Sequence, residues 1–506
     1  MINRLTIFLV LTISYGTVQG AELATLHRAA ASITASELQT HVNVLADDSF
    51  EGRESGSRGG RAAGMYLLKQ LEERGLRGGG DDAGFFQAFG EGYRNVLGFL
   101  EGSDPELKNQ VVVVSAHYDH VGYGTRRNSY GPFGYVHNGA DDNASGTAGI
   151  LETVDACLAM PTPPKRSILF AFWDGEEKGL LGSKYWVANP TIDLANVALM
   201  INVDMIGRMK NQEIEVFGSR TAPGLRRLVS EINYGSDLKL KFNWELKANS
   251  DHHSFISHNI PALMFHTGLH DDYHRPSDDA HKLNPEGMEM ASRLLFGVAY
   301  EVADRSDLGR FRAAGPNETP ASQQQLEQAL PASPPRLGVR WYSDDEGPGL
   351  LLAHIERGTA AERAGLRVND RLIEFAGKVI TDQDQFRQEV LFAETSVELV
   401  VEREGAEEPV KIVAELDGKP TRLGIAWRED AGEPGTVIVT RVVSGSPGRI
   451  AGLQTGDRIY AIANEPFTVG RDVFERLTTL PSPIELTIER SGRMETVSLE
   501  VPPPRN

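Results

Sequence analysis

Four short apolar runs punctuate the first three hundred residues: Val111–Val114, Ile168–Phe172, Val197–Ile201 and Ile260–Phe265. Each is continuous rather than alternating, which is the mark of a strand buried on both faces. Stretches of helical period lie between them, Gly146 to Ala159 and Gly182 to Ala188. Further upstream an amphipathic helical pattern runs from Ser36 to about Gly75, broken at Glu51-Gly52-Arg53-Glu54-Ser55-Gly56. Strands alternating with helices predict an α/β fold: a three-layer α/β/α sandwich around a mainly parallel sheet.

The pattern changes after Ala303. Residues 304–335 are rich in Pro, Gln, Ser, Ala and Glu without apolar period, and read as a flexible linker. Beyond it the chain repeats itself. Arg336-Leu337-Gly338-Val339 returns as Arg422-Leu423-Gly424-Ile425, and Ala364-Gly365-Leu366 returns as Ala451-Gly452-Leu453. Asn369-Asp370-Arg371-Leu372-Ile373 returns as Gly456-Asp457-Arg458-Ile459-Tyr460. So long a period indicates two tandem β-rich domains, 336–417 and 421–502, not a solenoid.

At the other end, Arg4, the apolar stretch Leu5 to Ile13 and the small-residue exit Val18-Gln19-Gly20 have the layout of a cleaved signal peptide over residues 1–20. That predicts a secreted or periplasmic protein. No segment offers the ~20 apolar residues needed for a membrane span.

With 51 basic against 70 acidic residues, the net charge of -19 leaves no basic stripe for nucleic acid. Cys157 is the single cysteine, so neither an internal disulfide nor a cysteine zinc site can form, and a buried, inert thiol is expected there. Any metal must be held by His, Asp and Glu.

Those residue types gather where the strands should end. His117 and Asp119 follow the first run, and Asp141-Asp142-Asn143 sits in Gly139–Gly146. Glu176 and Glu177 follow the second run, Asp204 the third, and His274 lies in Tyr273-His274-Arg275-Pro276. Taken singly, each has an ordinary explanation: a surface pair, a helix cap, a solvated face. Open α/β sheets bind ligands at the carboxyl ends of their strands, so the groups can meet despite their separation in sequence.

In this order the HxD, GADDNASG, WDGEE, NVDM and YHRPSD segments resemble the di-zinc aminopeptidases of the aminopeptidase Y and bacterial leucyl aminopeptidase type. They belong to the zinc exopeptidase clan, which also holds glutamate carboxypeptidases and glutaminyl cyclases. The resemblance covers roughly residues 35–300 and assigns 21–303 to a peptidase domain. It implies two Zn²⁺ per chain, with Asp141 bridging, His117 and Asp204 completing one site, and Glu177 and His274 the other. It further implies Glu176 as general base and acid, Asp119 as acceptor for the His117 ring, and peptides with a free N-terminus as substrates. Three carboxylates against two divalent ions leave the net positive field such chemistry needs. A carboxypeptidase remains an alternative, with Arg126 and Arg127 as the nearby pair that could clamp a carboxylate, as does an inactive scaffold. His120 and His137 lie close enough in sequence to line the pocket, and Asp251 is expected to cap a helix or support the site.

The two repeats resemble PDZ domains of bacterial proteases. That implies possible peptide or protein ligands, held by main-chain N–H groups of Leu337-Gly338-Val339 and Leu423-Gly424-Ile425 and added as a strand to the sheet edge.

Overall fold

The structure is a computed structural model describing residues 24–502 except 234, 235, 237 and 469. The expected signal peptide lies outside the described residues. The chain divides into two compact units, one running to Gln323 and including Ser491–Arg493, the other made of Gln324–Arg490 and the residues from Met494 onward.

The first unit is built on a nine-stranded sheet in the order β1-β3-β5-β4-β6-β9-β7-β8, with β2 beside β3. The strands are β1 (Arg77–Gly78), β2 (Phe86–Phe89), β3 (Tyr93–Leu100), β4 (Val111–His117), β5 (Ser167–Trp173), β6 (Val197–Val203), β7 (Glu213–Phe217), β8 (Lys239–Asn243) and β9 (Ala262–His266). The four apolar runs form the contiguous parallel centre, β5-β4-β6-β9. The centre is parallel as expected, and the flanking strands β3 and β7 join it antiparallel. β7 alternates buried and partly exposed residues, and β3 buries only Asn95–Gly98 between polar or partly exposed ends, so neither carries a continuous apolar run.

Alternation along the central strands makes the three layers. Val112, Val114, Ile168, Phe170, Leu199 and Ile201 point into one core. That core is closed by helices α1 (Ala35–Leu45), α2 (Arg58–Glu73), α3 (Gly146–Ala159) and α7 (Pro285–Asp304). Val113, Leu169, Ala171, Trp173 and Met200 point the other way, against Trp186 of α4 (Leu181–Ala188) and Phe255 of α6 (His252–Ile256). The remaining labelled helix, α5 (Leu225–Ile232), packs with the first core. Each fully buried side chain of this size contributes about 1.5–3 kcal/mol, which makes the central sheet a rigid platform for the loops at its carboxyl edge. No described helix is long and apolar enough to cross a membrane.

The second unit holds two six-stranded sheets of the same topology. One is β10 (Val339–Trp341), β11 (Leu350–Ile355), β12 (Arg371–Phe375), β13 (Lys378–Val379), β14 (Ser396–Glu402) and β15 (Val410–Glu415), in the order β10-β11-β12-β14-β15 with β13 on β12. The other runs from β16 (Ile425–Glu429) to β21 (Arg493–Leu499) in the equivalent order. The repeated residues do the same work twice. Arg336 donates to the carbonyls of Val390 and Ala393 where one helix ends, and Arg422 to those of Leu477 and Leu480 in the other copy. Asp370 pairs with Arg403, and Asp457 with Arg490, each at 2.7 Å.

The stretch expected to be a flexible linker carries structure. Glu318 pairs with Arg220 and Arg312 in the first unit. In the second unit Arg428 gathers the carbonyls of Gln325, Leu326 and Gln328. Leu330 N donates to Thr440 O at 2.7 Å. Polar composition hid this segment because arginine-to-carbonyl bonds and ion pairs, not an apolar stripe, hold it.

Candidate metal centre at the carboxyl edge of the sheet

Because β4, β5 and β6 are parallel, their carboxyl ends open on the same side. His117 is the last residue of β4, Glu176 and Glu177 follow β5 after a turn at Gly175 (φ +76°), and Asp204 follows β6. The loop Gly139–Ser145 brings two aspartates to the mouth before α3 begins. His274 arrives from the loop after β9 with φ +50°, a left-handed conformation uncommon for a side chain larger than glycine.

Two groups able to hold a metal ion result: His117, Asp142 and Asp204; and His120, Asp142, Glu177 and His274. Asp142 belongs to both. Its Oδ1 stands 3.3 Å from His117 Nε2, and its Oδ2 stands 3.1 Å from His274 Nε2. Asp204 Oδ1 lies 3.4 Å from His117 Nε2 and Glu177 Oε2 3.2 Å from His274 Nε2.

The sequence reading placed Asp141 between the groups. The structure puts Asp142 there instead. Asp141 turns away: its Oδ1 accepts from Gly207 N (2.6 Å) and Ser145 Oγ (3.0 Å), and its Oδ2 faces His270 Nε2 at 3.1 Å. Two adjacent aspartates present identical side chains to a motif reader, and only the loop path decides which one points inward. Buried Asp278 sets that path, since its Oδ2 accepts from Asp141 N (3.0 Å) and Asp142 N (3.1 Å). Fully buried Arg53, part of the interruption between α1 and α2, ties the same loop down through the carbonyls of Asn138 and Gly139.

Asp119 also differs from its expected role. The His117 Nδ1 contact is to the Asp119 main-chain carbonyl at 3.2 Å, the carboxylate being 3.7 Å away. That carboxylate accepts instead from Glu176 N (3.0 Å), Glu177 N (3.3 Å) and Ser55 Oγ (2.8 Å). His120 joins the second group with Nδ1 2.8 Å from Glu177 Oε1. Its position directly after Asp119 was its one sequence signal. His137 bonds Ser129 Oγ and the Tyr135 carbonyl, Arg126 and Arg127 are exposed, and Asp251 makes no capping bond at the start of α6.

Electrostatics show what this donor set suits. Burial opposes a charge on His117, yet Glu176, Asp119, Asp142 and Asp204 outweigh it and raise its pKa well above the usual value. His274, likewise opposed by burial, is pushed up to about 11 by Asp142 and Glu177. Burial raises the Asp142 carboxyl, but His117, His120 and His274 bring it well below the ordinary range. Glu176 goes the other way: burial, then Glu177, Asp251 and Asp204, lift it well above the usual range despite His117. Four carboxylates, Asp142, Asp204, Glu176 and Glu177, are thus crowded around the imidazoles, with the Arg53 guanidinium behind the loop, and divalent cations satisfy such a donor set better than protons. The residues present fit metal ions.

The centre opens into a cavity of about 450 Å³ lined also by Met205, Glu215, Phe217, Met264 and Tyr273. Burial among the carboxylates drives the Tyr273 hydroxyl far above its ordinary pKa, so it stays protonated and able to donate.

An α/β scaffold with paired histidine–carboxylate groups at its carboxyl edge is the class of protein seen here. Residues 95–299 match peptidase family M28, and residues 353–403 and 438–490 match PDZ domains. The chain therefore carries an M28 peptidase domain followed by two PDZ domains. It is similar to leupeptin-inactivating enzyme 1 of Streptomyces exfoliatus, 28% identical over 250 residues that make up 48% of this chain and 50% of that enzyme. It is similar as well to leucine aminopeptidase 1 of Grosmannia clavigera, 29% identical over 54% of this chain and 69% of that one. The chain spans about half the length of the first of these relatives. Among solved structures, the Legionella pneumophila LapA aminopeptidase is 21% identical, with a TM-score of 0.47 over 56% of this chain and 75% of that one.

Proposed function

We propose that the chain is a zinc-dependent aminopeptidase that binds two Zn²⁺ ions and removes the first residue from peptides with a free N-terminus. The observation that carries this reading is the divided carboxylate of Asp142, one oxygen toward each histidine group. Two ions held by that shared carboxylate would act on the same bond. His117, Asp142 and Asp204 would hold one ion and Asp142, Glu177 and His274 the other, three protein donors each with a position left open. His120 would orient Glu177 through its 2.8 Å contact rather than add a fourth ligand.

When bound, the ions supply Lewis acidity toward the scissile carbonyl and a nucleophilic water at neutral pH. The rest is the work of this chain's side chains. The Glu176 carboxylate, aimed into the cavity and without a hydrogen-bond partner among the described residues, takes the proton from the attacking water and returns it to the leaving amine. Asp119 holds Glu176 and Glu177 at the turn that aims them. Tyr273 keeps its hydroxyl proton and would donate a hydrogen bond to the oxygen that gains charge at the scissile carbon. The leader-like residues 1–20 support action outside the cytoplasm.

A metal count per chain, paired with free and amino-acetylated versions of one peptide, tests the reading. Two ions and cleavage confined to the free peptide are expected. One ion, or equal cleavage of the blocked peptide, would refute it.

A further inference from the structure

The wall of the cavity formed by β7 and β9 carries an acid that the reaction does not use. Glu215 lies in β7 directly opposite His266 of β9, and Phe217 lies opposite Met264 in the same register. Residues two apart on a strand share a face, so Glu215, Phe217, Met264 and His266 form one patch, and all four line the cavity. Since β9 is the neighbour of β6, which delivers Asp204, Glu215 stands two inter-strand steps from the metal groups, roughly 10 Å. A long side chain can cover that span from a residue held at the metals, whereas a short one cannot.

Charge singles Glu215 out. Lys241, its lateral neighbour on β8, is bound to Glu213 and feels Glu215 only at longer range. Lys247 is committed to Glu245 at 3.0 Å. The Glu215 carboxylate has no hydrogen bond or ion pair with any described residue, although it is half-buried. Beside it lie the apolar Phe217 and Met264, and across the strand pair His266.

We propose that Glu215 makes the cavity selective for a cationic first residue, lysine or arginine. The methylene stem would lie along Phe217 and Met264 while the charged head reaches Glu215, the division by which such side chains satisfy both their parts. A neutral residue leaves the carboxylate uncompensated, and an acidic one is repelled. This selectivity rests on the aminopeptidase reading, from which the position of the first residue follows.

Lysinamide and norleucinamide share their stem and differ in the terminal ammonium, so their binding to the zinc-loaded Glu176→Gln protein, which barely turns them over, isolates Glu215 from turnover. Lysinamide is expected to bind about 10- to 100-fold tighter, the range of a charge-assisted hydrogen bond, with the difference lost in Glu215→Gln. On aminoacyl-nitroanilides, Glu215→Gln should lower kcat/KM for Lys and Arg by the same factor and leave Leu within about twofold, while Glu215→Lys should admit Glu. Equal binding of the two amides, or a parallel fall of Lys, Arg and Leu in Glu215→Gln, overturns the proposal. Selective binding without hydrolysis of any nitroanilide would uphold Glu215 and sink the aminopeptidase reading alone.

Discussion

Asp119 accepts the main-chain N–H of Glu176 at 3.0 Å, so the acid after β4 fixes the backbone from which the proposed base extends. A second bond to Glu177 N and a third from Ser55 Oγ leave the buried carboxylate fully engaged. Replacing it with alanine frees the Glu176 turn without removing a group from either metal set. Asp119→Ala should therefore lower kcat by about 10- to 100-fold, the usual effect of losing such support, while the bound metal persists. Steady-state kinetics beside a metal assay would check this, and a drop in KM affinity alone, with kcat intact, would argue against the role.

Asp141 and Asp142 offer a sharper contrast, because one peptide bond separates opposite functions. Asp142→Asn should abolish retention of both ions. Asp141→Asn should keep them but weaken the loop, since Gly207 N and Ser145 Oγ would face a poorer acceptor, at a cost of about 1–3 kcal/mol. Metal stoichiometry and thermal unfolding of the two variants read these outcomes separately. Loss of both metals from the Asp141 variant only would restore Asp141 as the shared ligand.

That contrast also marks how far the sequence could be read. The continuous apolar runs announced β4, β5, β6 and β9, and with them which residues stand at the carboxyl edge, because burial on both faces leaves a plain signature. His117, Glu176, Glu177, Asp204 and His274 could be placed there for the same reason. What remained hidden was set by tertiary bonds. The choice of Asp142 depends on Asp278, more than a hundred residues later in the chain, and on Arg53, whose guanidinium reaches the loop carbonyls from a helix break. Likewise β7 and β8 alternate in burial and carry charges, so no apolar run betrayed the strand that bears Glu215.

Glu176 tests the chemistry without disturbing the metal set. Its carboxyl is raised well above the ordinary range by burial and by its acidic neighbours, and bound cations would offset that effect. Glu176→Gln preserves the side chain's size but cannot accept a proton. It should retain metal and lose about 10²- to 10⁴-fold in kcat. Turnover near the parent rate would remove Glu176 from the mechanism.

The pH dependence of metal binding follows from the imidazoles. In the metal-free protein Asp142 and Glu177 push His274 up to about 11, and His117 is raised as well. A folded-state pKa above the unfolded value means that the imidazolium–carboxylate contacts stabilise the metal-free fold fully below about pH 6.5. For His274 that contribution is lost as pH rises through about 11. Metal ligation needs the neutral ring, so at neutral pH each ion must displace a proton. Zinc affinity should climb by up to tenfold per pH unit for each proton released, and the metal-free protein should tolerate acid better than its loss of zinc there would imply. Calorimetric titrations in two buffers of different ionisation enthalpy would count the protons. Fewer than one released per ion at pH 7 would mean that the histidines are already neutral, and the charge balance drawn for the donor set would be wrong.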